Sequence, residues 1–196
     1  MKDREKALRE DILYDSKKVN AKITYKGDTF YAKIKLKGEA SDHWLSKLRM
    51  SLRVELKNNK TIFGFNKFSI QKPRSRQHPY DQIFQSLMKD LNILSPVHKF
   101  AHFYLNGEDW GVMDITEHMS KELLEKQKRK DSLIVSFSDS MLTRYKKKSV
   151  TPYEGYRLSS PFLYVHLYND KKIKNLHNRM VYSYILKMHL LRDLRL

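Results

Sequence analysis

Apolar and polar residues alternate along three early stretches of the chain. Val19, Ala21, Ile23 and Tyr25 interleave with Asn20, Lys22 and Thr24. Phe30, Ala32, Ile34 and Leu36 interleave with Tyr31, Lys33 and Lys35. Met50, Leu52, Val54 and Leu56 interleave with Ser51, Arg53 and Glu55. A period of two puts one set on each face of a strand, so these stretches predict an antiparallel sheet with one buried face. Lys26-Gly27-Asp28 reads as the turn joining the first two, and Lys57-Asn58-Asn59-Lys60 as a turn after the third. Thr61–Phe65 and Phe68–Gln71 are shorter strand candidates.

The clearest local signal is a hairpin over residues 103–117. Asn106-Gly107 separates two runs rich in apolar residues, and both central residues of a type I′ turn need positive φ. A second glycine, Gly111, predicts a bulge. Helical spacing appears in four places. Residues 3–14 read as a short charged helix carrying Ala7, Leu8 and Ile12 on one side. Tyr80–Leu91 places Ile83, Phe84, Leu87, Met88 and Leu91 on one stripe, stopped by Asn92 and Pro96. Ser120–Lys130 reads as a polar helix, with Ser120 or Thr116 as its cap. Ile173, Leu176, Met180, Tyr184, Ile185, Met188 and Leu191 form a last stripe. Ser132–Phe137 is a short strand candidate, residues 145–156 read as a loop, and Pro161–Tyr168 fits either strand or helix.

Composition adds a globular expectation and a charge. A 196-residue chain with 40% hydrophobic and 12% aromatic residues is long and apolar enough for a sizeable core. Its 39 Lys and Arg against 22 Asp and Glu give a net charge of +17. That favours acidic partners without choosing among nucleotide, nucleic acid, anionic lipid and acidic peptide. The absence of cysteine excludes disulfides, thiolate metal sites and cysteine nucleophiles. No apolar run reaches the length of a transmembrane helix. The N-terminus, charged from Lys2 onward, does not read as a signal peptide.

Candidate chemistry is sparse. Neither phosphate-binding glycine loop nor nucleophile elbow is present. His98 and His102 are four apart, a zinc spacing on a helix; on the strand predicted here they lie about 13 Å apart and cannot share a metal. His43 beside Trp44 reads as structural. The loop Lys72-Pro-Arg-Ser-Arg-Gln-His-Pro79 places Arg74 and Arg76 just before a helix N-terminus, where guanidinium groups and free N–H groups suit phosphate. The same loop also reads as a solvated charged face. Glu117, at the end of the second hairpin strand, either orients a cation or simply precedes a helix and meets water.

Four stretches, in order, resemble the spore-coat-H (CotH) kinase family of divergent protein-kinase-like proteins. Ile34-Lys-Leu-Lys-Gly-Glu-Ala-Ser41 is similar to its V-R-I-R-G-N-S-S segment, and Arg49-Met-Ser-Leu-Arg-Val-Glu-Leu56 to its K-K-S-Y-R-L-K-F strand. Leu87 to Pro96 resembles its helix ending E-L-G-L-x-x-P. Tyr104-Leu-Asn-Gly-Glu-Asp-Trp-Gly-Val-Met-Asp-Ile-Thr-Glu117 resembles its Y-L-N-G-E-Y-x-G-L-Y-x-x-x-E hairpin, the most specific of the four. The resemblance implies an α+β fold, mainly antiparallel sheet with packed helices, like part of a divergent kinase. It implies ATP-dependent phosphorylation of a protein at a bacterial surface, coat or periplasm, with ATP and Mg²⁺ as cofactors. It further implies a CotH-kinase-like N-terminal part over residues 1–137 and an incomplete continuation over 138–196.

Under that resemblance the cofactor-binding residues are Lys47 or Arg49 for phosphate, Glu117 for orienting a cation, and Arg74 and Arg76 for phosphate or substrate. The chain departs from the family pattern in several places. Lys37 replaces the motif arginine, Glu39-Ala40 replaces Asn-Ser, and Arg49-Met50 replaces the paired lysines. The family's later aspartate stretches are not found; Asp170 and Asp193 lack that context, so no metal ligand and no catalytic residue is assigned. Phosphoryl transfer needs carboxylate-held Mg²⁺, which leaves open whether the chain by itself is active. Two other readings stand beside the kinase one. The first is a noncatalytic assembly module for an acidic partner protein. The second is a nucleic-acid-binding domain, supported by charge and interleaved aromatics but by no named motif.

Overall fold

The computed structural model describes residues 2–13, 16–38 and 40–130, together with the strands Val135–Phe137 and Val165–Leu167. Helix α1 (Lys2–Glu10) precedes strands β1 (Val19–Tyr25), β2 (Asp28–Leu36), β3 (Leu52–Leu56) and β4 (Lys67–Gln71). Helix α2 (Tyr80–Asp90), strands β5 (His98–Leu105) and β6 (Glu108–Glu117) and helix α3 (Lys121–Lys126) follow. The remaining strands, β7 (Val135–Phe137) and β8 (Val165–Leu167), pair antiparallel with each other. The chain divides into Met1–His118 and Met119–Leu196. The first unit holds a six-stranded sheet in the order β1-β2-β3-β4-β6-β5, every neighbouring pair antiparallel. The three alternating stretches and the hairpin therefore share one sheet, and the fold is α+β.

Both hairpin turns follow from their residues. Lys26 and Gly27 have φ of 52° and 86°, and Asn106 and Gly107 have 52° and 83°. Two successive positive φ values match the right-handed twist of the flanking strands. The register of β5 on β6 slips between His102 and Tyr104, where β6 carries an extra residue near Gly111 (φ 67°). This is the bulge that Gly111 predicts.

Some elements differ from the pattern. Residues 61–65 do not form a strand: Ile62 and Phe65 bridge each other across Phe63 and Gly64, both at positive φ, and turn into the core. Helix α1 stops at Glu10 because Asp11 takes a left-handed φ of 49°. Ala7 is buried there, whereas Leu8 is exposed. Ser120 stands at the N-cap of α3 without a side-chain cap bond. The last helical stripe, the 145–156 loop and most of residues 138–196 lie outside the described residues.

Directly opposed residues share a sheet face, and the register sorts the side chains into two faces. Leu36, Leu52, Ile70 and Ile115 lie in one row; Ile34, Val54, Phe68 and Glu117 lie in the next. The apolar members of these rows make the main core with Trp110, Met113, Ile62 and Phe65. A smaller cluster of Ala7, Leu13 and Trp44 docks α1, aided by Arg4 Nε donating to the Trp44 carbonyl at 2.8 Å.

Candidate functional site

The opposite face of the same sheet is polar, and its centre is buried. Its first row runs Lys35, Arg53, Ser69, Thr116 and His98. Its second row runs from Lys37, which donates its backbone N–H to Ser51 O at 2.9 Å, to Gln71, Asp114 and Phe100. Ser51, Gln71 and Asp114 are fully buried, and Ser69 and Thr116 nearly so. A buried polar group is costly unless hydrogen-bonded, and here the strands satisfy one another. Lys37 Nζ donates to Gln71 Oε1 at 3.2 Å, and Gln71 Nε2 donates to Thr116 Oγ1 at 3.0 Å. His98 Nδ1 lies 3.0 Å from both oxygens of Asp114. The Arg53 guanidinium contacts His118 Nδ1.

Helix α2 covers part of this face with its polar side. Gln82 Nε2 donates to Asp114 Oδ2 at 3.1 Å. Asp81 Oδ2 lies 3.7 Å from His98 Nε2 and 3.8 Å from Arg76 Nε. Arg76, Asp81, His98 and Asp114 therefore stand in succession, the two Asp81 contacts at ion-pair rather than hydrogen-bond distance. Arg76 belongs to a 3₁₀ turn, Pro73–Arg76, that leads into the helix. The apolar stripe of α2 points away: Ile83, Phe84, Leu87 and Leu91 are exposed and no residue of the helix is buried.

Lys37 thus lies within electrostatic reach of two arginines and two carboxylates. Its pKa is lowered from 10.5 to about 7, first by burial and then by the charges of Arg53 and Arg76; Asp114 and Asp81 pull the other way. His43 is lowered too, chiefly by burial, with Lys37, Arg76 and Lys72 adding to it against Asp42. Its Nδ1 lies 2.8 Å from Ser51 Oγ. The His43 ring sits directly over Gly38, whose φ is +95° and whose missing Cβ would fall 2.2 Å from that ring. Glycine at 38 is therefore what lets the loop fold back and hold Lys37 at the end of β2.

The residues expected from the sequence fall in different places. Arg76 joins the network, while Arg74 is exposed beside it. Lys47 is exposed in the loop before β3. Arg49, at φ 61°, donates from Nη2 to the Val112 carbonyl at 2.7 Å. Glu117 is 6% exposed, which removes the reading of a solvated surface carboxylate. It stands opposite Phe68, on the apolar side of the sheet. The structure brings together Lys37, Arg53, Gln71, Arg76, Asp81, His98 and Asp114, most of which sequence reasoning passed over. The available signal was polarity in strands that have neighbours on both sides: Ser69, Gln71, Asp114 and Thr116 read as a wet face but belong to central strands.

Among the described residues no cluster of three or more His, Asp or Glu side chains is arranged to hold a metal ion. No helix there is long and apolar enough to cross a membrane. No curated protein matches the chain. A family model described as CotH kinase protein matches residues 23–181, running past the last quoted motif. That match covers most of the 196 residues and includes strands β2 to β6 whole: the chain belongs to the CotH kinase family.

Proposed function

We propose that the chain works in ATP-dependent phosphorylation of a protein, and that the polar face of its sheet receives the nucleotide's phosphates. The sheet then serves as the small lobe of a divergent kinase fold. The observation that carries this reading is the convergence of Lys37, Arg53 and Arg76 over a face held rigid by Asp114, His98 and Gln71. Phosphoryl transfer rests mainly on positioning and on neutralising phosphate charge, and this face supplies both. An anion between the three cations relieves their mutual repulsion and favours protonated Lys37. Asp114 and Asp81 keep the site from carrying unbalanced positive charge before the nucleotide arrives.

The fit to the two implied cofactors differs. The cations suit the anionic end of ATP. Mg²⁺ would supply further charge neutralisation in transfer, but the carboxylates of this face are engaged by His98, Gln82, Gln85 and Arg76. We assign the metal no ligand here.

Calorimetric titration with ATP tests the proposal. The parent should bind, and Lys37→Met and Arg53→Met should each weaken binding about tenfold, the size expected for one charge-assisted contact. Arg74→Ala, in an exposed residue, should change it less than Arg76→Ala. No nucleotide binding by the parent would instead favour an assembly module for an acidic partner.

A further inference from the structure

The apolar side of the sheet carries a second feature, independent of the phosphate-facing network. A cavity of about 800 Å³ lies against it, floored by Ile34, Val54, Phe68 and Ile70. Its walls are two unbroken runs of chain, residues 19–25 and 101–106. A strand that borders a cavity with its face contributes alternate residues; one that borders it with its edge contributes consecutive ones. Both runs come from the outer strands, β1 and β5. The sheet therefore curls until its two edges flank one apolar space.

The two edges are not equivalent. β5 is interrupted by the register slip between His102 and Tyr104. β1 pairs with β2 without a break from Val19 to Tyr25, so its outward N–H and C=O groups form a regular row. Such a row is a template for one more strand. The outer surface beside it is basic. Lys22 is exposed on β1, and Lys33, opposite Asn20, is exposed on β2. The one acid of the adjoining strand, Glu55, is held by Lys18 and Lys67.

We propose that the β1 edge binds an extended segment of a partner polypeptide in which apolar and acidic residues alternate. The added strand extends the sheet by main-chain hydrogen bonds. Its apolar side chains enter the cavity, and its acidic side chains share the outer face with Lys22 and Lys33.

The probe is a fluorescein-labelled nonapeptide alternating Val and Glu, titrated by anisotropy, with hydrogen exchange read over residues 19–25. Binding should slow exchange in that stretch. Methylating alternate peptide nitrogens along the pairing edge should weaken binding at least tenfold, because it removes donors and leaves the side chains. Lys22→Glu should weaken it about fivefold with unchanged circular dichroism, and a Val–Lys peptide should not compete. Equal binding of the methylated and unmethylated peptides would overturn strand addition, as would slowed exchange confined to other segments or no binding at all. Displacement of a bound dye by dodecanoate but not by the peptide would give the cavity to a small amphiphile. Dimerisation that protects residues 19–25 without peptide would give the edge to a second copy.

Discussion

At the scale of single residues, Lys37 trades stability for a held charge. Its pKa near 7 lies well below the ordinary 10.5. Between those values the unfolded chain binds more protons than the folded one, so this residue makes stability rise with pH over that window. At and below pH 7 the buried ammonium is a net cost to the fold. Lys37→Met should therefore raise the melting temperature at pH 6–7, and the gain should shrink as pH approaches 10. A calorimetric series over that range checks the sign; an unchanged or lowered melting temperature at pH 6 would mean that the charge is already compensated. The same variant should lose ATP affinity, which separates a site residue from a structural one. Gly38 is constrained more simply. Its φ of +95° disfavours any side chain, and a Cβ would meet the His43 ring. Gly38→Ala should cost about 1–3 kcal/mol, the usual range for a residue forced into such backbone, read by urea denaturation. It should also displace His43 from Ser51.

At the scale of elements, β6 and α2 are where pattern reading succeeds and then runs out. The hairpin around Asn106-Gly107 was legible because its turn chemistry is local. The sheet order was legible in outline because three alternating stretches have only one economical arrangement. What sequence could not show is that β6 is buried on both faces. Period-two reasoning assigns Asp114 and Thr116 to water, yet α2 and the preceding turn lie over part of the polar face. Nor could it show which way α2 turns. A stripe of Ile83, Phe84, Leu87 and Leu91 argues for packing inward, and the helix instead sends Asp81 and Gln82 inward. The partners that decide this, His98 and Asp114, lie far along the chain. Asp114 is the keystone of this arrangement, accepting from both Gln82 and His98. Asp114→Ala leaves those donors buried without their acceptor and should cost about 3–5 kcal/mol. Asp114→Asn, which keeps one acceptor oxygen, should cost clearly less. Equal losses in denaturant titrations would mean that α2 is held by other contacts.

At the scale of the whole molecule, the charge of +17 raises a competing explanation for any anion that binds. Lysines spread over the surface attract polyanions without a built site, and such attraction is released by salt. The polar face differs in physical kind. Lys37 is desolvated enough to lose most of its ordinary basicity, and its partners Gln71 and Asp114 are fully sheltered. Charges in such surroundings are screened much less than exposed ones, whose interactions fade beyond a Debye length of about 10 Å at 0.1 M salt. Salt and mutation together should therefore separate the two modes. Between 50 and 200 mM salt, binding of a single-stranded oligonucleotide to the surface lysines should fall by orders of magnitude, as counterion release requires. ATP affinity should fall only a few-fold over the same range. Lys37→Met should weaken ATP binding at both salt concentrations while leaving oligonucleotide binding nearly unchanged. If ATP affinity falls as steeply as the oligonucleotide's and ignores position 37, the nucleotide is held by the general field of the protein. The convergence of Lys37, Arg53 and Arg76 would then be a feature of folding alone.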